Sequence, residues 1–443
     1  MSHSALQMLR AEIAGCQAAH SVARVAEVGR GLLRITGTGP EWRMGDRVSV
    51  GGTHAAFGGE IVVLDGSGAG VLTDQAADGI GLGDPVELVG TGAIAPHDGW
   101  IGRIIDPFGQ PMDGRPLMQG GLARALRAAP PPPANRKRLG DRLETGMRVF
   151  NTLLPLVRGQ RIGLFAGSGV GKSSLLATFA RHVEAEVTVI ALIGERGREL
   201  REFAEDVLGA AGMARSVIIA ATSDQSPLVR RRCAWAAMAV AEYFRDQGRQ
   251  VLFLADSVTR LAEAHREIAL VAGEPPSLRG FPPSTAHMIM SLAERAGPGA
   301  EGAGDITAVF SVLVAGSDMD GPVADILRGV LDGHVVMDRD IAERGRYPAI
   351  NLLRSVSRSL PSAASDAENL LIAEARRLLG AYDRAEMMIQ AGLYTAGSDA
   401  LIDAAIRVWP MLDAFLGEAE PQGRCASFTR LADILALAHP LRA

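Results

Sequence analysis

Ala166-Gly-Ser-Gly-Val-Gly-Lys-Ser173 lies between an apolar, strand-like run, Arg161 to Phe165, and a helix-like run, Ser174 to His182. Strand, glycine-rich loop and helix in this order form a phosphate cradle. Gly167, Gly169 and Gly171 free the backbone to turn its N–H groups onto an anion, and the helix N-terminus adds the positive end of its dipole. Lys172 can then reach the β and γ phosphates, and Ser173 can ligate Mg²⁺. Ser168, Val170 and Ser174 complete the candidate nucleotide-binding stretch. Only Ala166 departs from the G-x-x-x-x-G-K-[ST] pattern, at a strand end where a small residue suffices. The alternative, a glycine-rich turn that binds nothing, seldom carries Gly, Lys and Ser in this order.

Working outward, a chain of 443 residues exceeds what one core usually holds, so two or three domains are expected. A hydrophobic content of 47% with 21% charged residues describes a globular protein rather than a disordered one. The net charge of −5 gives no global pull toward nucleic acid or anionic lipid. Cys16, Cys233 and Cys425 are too scattered for metal-ligand spacing and read as reduced thiols. No apolar stretch approaches the ~20 residues of a membrane span, and a cytoplasmic protein is expected.

Residues 1–20 carry Leu6, Leu9, Ile13 and Cys16 on one helical face, an amphipathic helix that either docks on a partner or packs on its own chain. Domain boundaries are expected at 21–92, 93–360 and 361–443. The first is a small antiparallel barrel of five or six strands, among them Arg24 to Val28, Leu32 to Thr36, Arg47 to Val50, Ile61 to Leu64 and Pro85 to Val89. Between Val22 and Gly92 there are five Arg and no Lys against nine acidic residues, with Trp42 and Phe57 as the only large aromatics. That is a poor nucleic-acid platform, and no nucleic-acid partner is expected.

Pro130 to Pro133 is a stiff connector. Beyond it strands and helices alternate: Arg161 to Phe165, Val187 to Ile193, Val217 to Ala220, Val251 to Ala255 and Ile306 to Val314, with a long helix from Pro227 to Arg245. This predicts an α/β domain with a parallel sheet covered by helices. From Ser365 onward helical patterns dominate, over Asp366 to Leu379, Ala381 to Ala391 and Asp403 to Leu416.

Two further stretches carry chemistry. Val251-Leu-Phe-Leu-Ala-Asp256 is an apolar strand ending in a carboxylate, which in a parallel sheet would face the metal shell beside Ser173. Gly194-Glu-Arg-Gly-Arg-Glu199 follows another strand at the same edge. Glu195 there either polarises an attacking water or pairs at the surface with Arg196 or Arg198.

These stretches, with Ala255-Asp-Ser-Val-Thr-Arg260, Gly273-Glu-Pro-Pro276, Tyr347-Pro-Ala-Ile-Asn351 and Ser355-Val-Ser-Arg358, resemble the rotary ATP synthase catalytic subunits. The resemblance is strongest to the flagellar and type III secretion export ATPases and runs over nearly the whole chain. It implies a RecA-like core that hydrolyses ATP with Mg²⁺, held by Ser173 and, through water, Asp256. It implies Glu195 as the catalytic carboxylate, supported by Arg196 and Arg260, with Tyr347 on the adenine. Arg358 would act as an arginine finger on the neighbouring subunit's nucleotide.

The resemblance further implies a homohexameric ring at the cytoplasmic side of the inner membrane. Its expected partners are a stator-like regulator at the N-terminal helix, a coiled-coil central stalk, the export gate, and export substrates with their chaperones. The acidic run that synthase catalytic subunits carry in the C-terminal domain is missing between Leu379 and Leu393, which favours export over synthesis. The wording of the phosphate loop favours the flagellar branch, with the injectisome branch as the alternative. A nucleic-acid translocase is disfavoured by the acidic barrel. A purely structural nucleotide-binding subunit is disfavoured by Glu195.

Overall fold

Short alternating segments come first. Strands β1 (Val22–Val28), β2 (Leu33–Thr36), β3 (Asp46–Gly51), β4 (Ala56–Asp65), β5 (Gly68–Thr73) and β6 (Pro85–Thr91) close into a barrel in the order β1-β2-β5-β4-β3-β6. The inward residues follow the period of two: Ala23 and Val25 on β1, Leu33 and Ile35 on β2, Val48 and Val50 on β3, all buried with Trp42. Closure leaves no free strand edge. The computed structural model describes residues 21–29, 31–51, 56–314, 319 and 321–439, so the amphipathic helix expected over 1–20 lies outside the described residues.

A two-stranded ribbon of β7 (Ala93–Ile94) and β9 (Arg124–Ala125) leads on from the barrel. The central sheet is built from β8 (Arg103–Ile105), β10 (Arg161–Ala166), β11 (Val187–Glu195), β12 (Ser216–Thr222), β13 (Val251–Asp256), β15 (Asp305–Leu313), β16 (Gly333–Met337) and β17 (Ile350–Ser357), with β14 (Gly297–Pro298) paired to β15. Its order is β17-β16-β10-β15-β13-β11-β12-β8. All neighbouring pairs along this path are parallel except β16 with β17. Because helices cover both faces, the strands read as continuous apolar runs; in β11 every residue but Glu195 is buried.

The sequence reading missed β5, β8, β16 and β17. It also divided one helix in two: Asp366–Gln390 runs unbroken through Gly380. A glycine inside a helix costs only about 1 kcal/mol. Here that is offset by a capping box, in which Ser365 and Glu368 satisfy each other's backbone, and by burial of Ile372, Ala375, Leu378, Ala381 and Ala385. Helices Ala400–Phe415 and Arg424–Ala436 pack against it.

Candidate functional site

At the C-terminal edge of the sheet, β10 ends at Ala166 and the loop turns into the helix Lys172–His182. Gly169 and Gly171 have φ of +78° and +87°, the left-handed region that glycine enters freely. Val170 is buried and pegs the loop to the core, while Ser168 stays exposed. Gly171 caps the helix without a side-chain hydrogen bond. The first amides of the helix therefore face outward as an anion site.

Lys172 forms an ion pair with Asp256 at the end of β13. Ser311 Oγ on β15 donates to the same carboxylate oxygen of Asp256 at 2.7 Å. A hydroxyl near the C-terminal end of the apolar run Ile306 to Val314, which also holds Thr307, was the signal available for Ser311, which the sequence reading did not single out.

Glu195 reaches the same place through an irregularity in β11. The register between β11 and β12 slips between Ile193 and Glu195, and Gly194 between them has a φ of +72°. Such a bulge re-aims the side chain that follows it. Glu195 thus lines a cavity of about 160 Å³ with Ser173, Asp256, Glu199, Leu200 and Phe203. Burial, and then the nearby Asp256 carboxylate, push the Glu195 carboxyl up to about 7, against the pull of Lys172. Phe203–Leu208, which lines this cavity in part, is a π-helical turn, a distortion frequent at functional sites.

The surface ion-pair reading of Glu195 does not describe this arrangement. Arg196 pairs with Glu199 at 3.1 Å and is 76% exposed, and Glu195 makes no ion pair within 4 Å among the described residues. Arg260 pairs with Glu263 at 3.0 Å. Both arginines stand near the site, but their side chains are engaged elsewhere.

On the other side of the loop is a cavity of about 620 Å³, lined by Tyr347, Pro348, Gly171, Leu175 and Ser174. Its size and apolar lining suit a nucleoside. Tyr347 is 53% exposed, and a Cβ on Gly171 would lie 3.1 Å from its ring, so glycine there permits the close approach. The far wall, Gly417, Ala419, Glu420 and Pro421, comes from the C-terminal helical region. No local pattern in the sequence marked that wall.

Arg358 is not brought to this edge. Ala166 on β10 lies beside Met337 on β16, and Met337 beside Ile350 on β17, all at the loop end of the sheet. β17 then runs antiparallel until Ser357 lies beside Gly333, and the Arg358 amide donates to Asp332 O at 3.0 Å. Eight residues of strand place Arg358 roughly 25 Å from the loop end. Its side chain is exposed and donates to Arg328 O at 3.1 Å.

Residues 146–357 match the nucleotide-binding domain of the ATP synthase alpha/beta family, and 364–433 match the T3SS EscN ATPase C-terminal domain. A flagellum-specific ATP synthase of Caulobacter vibrioides is 43% identical over 426 residues, 93% of this chain and 95% of that one. The chain belongs to this family of flagellar and type III secretion ATPases. The assembled ATPase EscN from the enteropathogenic E. coli type III secretion system superimposes with a TM-score of 0.87 at 34% identity, over 93% of this chain and all of that one. EscN in complex with its central stalk EscO gives 0.85, at the same identity and coverage.

The family carries a nucleotide-binding domain, and this chain is accordingly an ATP-binding ATPase. No helix among the described residues is long and apolar enough to cross a membrane.

Proposed function

We propose that the protein is the ATP hydrolase of a flagellar protein-export apparatus and works as a homohexameric ring. The observation that carries this reading is the convergence of Lys172, Asp256 and Glu195 at one sheet edge, in a chain that also holds Arg358 at the other. Copies of one chain would then supply both halves of each site, and the likeness to EscN in its assembled form supports a ring of such copies. The identity of 43% to a flagellum-specific relative, against 34% to EscN, favours the flagellar branch over the injectisome.

In the reaction, the loop amides and Lys172 bind the β and γ phosphates of ATP, which requires Lys172 to leave Asp256. Ser173 and Asp256 are hard oxygen donors beside the phosphate loop and fit Mg²⁺, with Asp256 acting through water. Bound there, the ion would neutralise phosphate charge. Glu195 orients a water and takes its proton. Tyr347 stacks on the adenine, and Arg358 of a neighbouring copy stabilises the γ-phosphate charge that grows in the transition state. Arg196 and Arg260 support the site once nucleotide redraws their present pairings.

The domain division at 21–92, 93–360 and 361–443 is part of this reading. So are a stalk-like partner, as EscO is for EscN, a stator-like regulator at residues 1–20, and an export gate at the inner membrane that receives substrates and chaperones. The test is a strain whose chromosomal copy carries Lys172→Ala. Loss of hook and filament with effector secretion intact supports the flagellar assignment, and the opposite pattern assigns the injectisome.

A further inference from the structure

The junction between barrel and core holds a cation-rich cavity that the ATPase reaction does not use. Glu60, on β4, accepts from Arg127 at 2.6 Å and from Arg231 at 2.9 Å. Both guanidiniums lie over the Trp235 ring, 4.4 and 4.9 Å from its centroid. One carboxylate thus serves two arginines, which leaves one positive charge in surplus. Arg231 is only 5% exposed, and its Nε–H meets no acceptor among the described residues. That donor is sealed within the junction and costs free energy there, while the positive charge open to a ligand is that of Arg127, 51% exposed, and of Arg231 where it lines the cavity described next.

Arg127 and Arg231 open on a cavity of about 420 Å³ whose lining also includes His265, His287 and Arg295 and contains no carboxylate. Arg295 is neutralised by Glu242 through a bidentate pair at 2.9 and 2.7 Å. His265 is engaged at Nε2 with Ser284, whose hydroxyl donates to Glu274 at 2.5 Å. The Ser284 proton therefore goes to Glu274, Nε2 donates to Ser284, and Nδ1 is left without a partner. Glu274 is thus committed to Ser284 and does not answer the surplus charge of the arginine pair.

We propose that this cavity binds a small phosphorylated anion, separately from the ATP site, with Arg127 and Arg231 as its charge partners. The volume admits a ligand of diphosphate size or somewhat larger. Guanidiniums already lie over the Trp235 ring, so recognition rests on charge rather than on stacking. Because the same two arginines hold Glu60 of the barrel, an occupant there acts on the seam between barrel and ATPase core.

The probe is pyrophosphate without divalent metal, titrated calorimetrically into full-length protein carrying Lys172→Ala so that the phosphate loop is weakened. Saturable binding at one site is expected. Ser291, on the cavity wall, supplies the discriminating variants. Adding Ser291→Glu places a like charge against the ligand and should weaken binding about ten-fold or more, whereas Ser291→Gln should keep it. Arg127→Gln, a change at a half-exposed residue, should weaken it as well. Absence of binding overturns the proposal, and so does binding that Ser291→Glu leaves unchanged, which would place the anion in the phosphate loop.

Discussion

Arg358 and Lys172 stand at opposite edges of the same sheet, because β17 leaves the loop end at Ile350 and runs antiparallel to β16 until it passes Gly333. A rigid strand cannot carry Arg358 back to its own phosphate loop. Any role for it in hydrolysis must be played on another copy, and the register of β16 and β17 is therefore an argument for assembly. In the proposed ring, an arginine at the far edge would meet the loop of the next subunit, and each site would be completed across an interface.

Lys172→Ala should abolish steady-state ATP hydrolysis, since it removes the side-chain cation that, among the described residues, pairs with Asp256 at the loop. Turnover equal to the parent protein would refute the site assignment. The variant should remain folded, because Ser311 still donates to Asp256.

Glu195→Gln should keep nucleotide affinity and lose turnover, because the amide preserves shape and cannot take the proton of water. The parent enzyme carries a pH signature of the same residue. Its carboxyl is pushed up to about 7, and a base must be deprotonated, so kcat/KM should rise as pH increases through neutrality and level off above it. Residual activity in Glu195→Gln should lack that rise. A parent profile flat from pH 6 to 8 would remove Glu195 as the base.

Tyr347→Ala should raise KM for ATP by about ten-fold, the worth of one stacking contact, and leave kcat within a small factor. Tyr347→Phe should restore affinity, because stacking needs the ring and not the hydroxyl. Equal loss in both variants would point to the hydroxyl instead.

Deleting residues 1–19 should leave the ATPase active as isolated protein while weakening its attachment to a stator-like partner. Full affinity in a pull-down with that partner would contradict the docking role.

Much of this was legible from local pattern. The phosphate loop announces itself by glycine spacing between strand and helix, and Asp256 by closing an apolar run; both depend on contiguous residues. The barrel was legible from short alternating strands, although Gly68–Thr73 was missed because its glycines weaken the strand signal. Arg103–Ile105 escaped because three residues carry too little periodicity to show that they pair with β12. Ser311, the wall at Gly417 to Pro421 and the far-edge position of Arg358 depend on pairing between distant segments. The Arg358 motif was readable as a string of residues, but the opposite-edge geometry that argues for an intersubunit role required the strand register.

The most direct measurement mixes two inactive proteins. Arg358→Ala subunits keep an intact phosphate loop, and Lys172→Ala subunits keep an intact arginine; each alone should slow hydrolysis by ~10³ or more. Random one-to-one assembly pairs an intact loop with an intact arginine at about one interface in four, which neither parent ring contains. With mixed rings verified by differently tagged subunits, activity well above the sum of the parents is the predicted result. Activity that stays at that sum would contradict completion of the site by Arg358 across the interface.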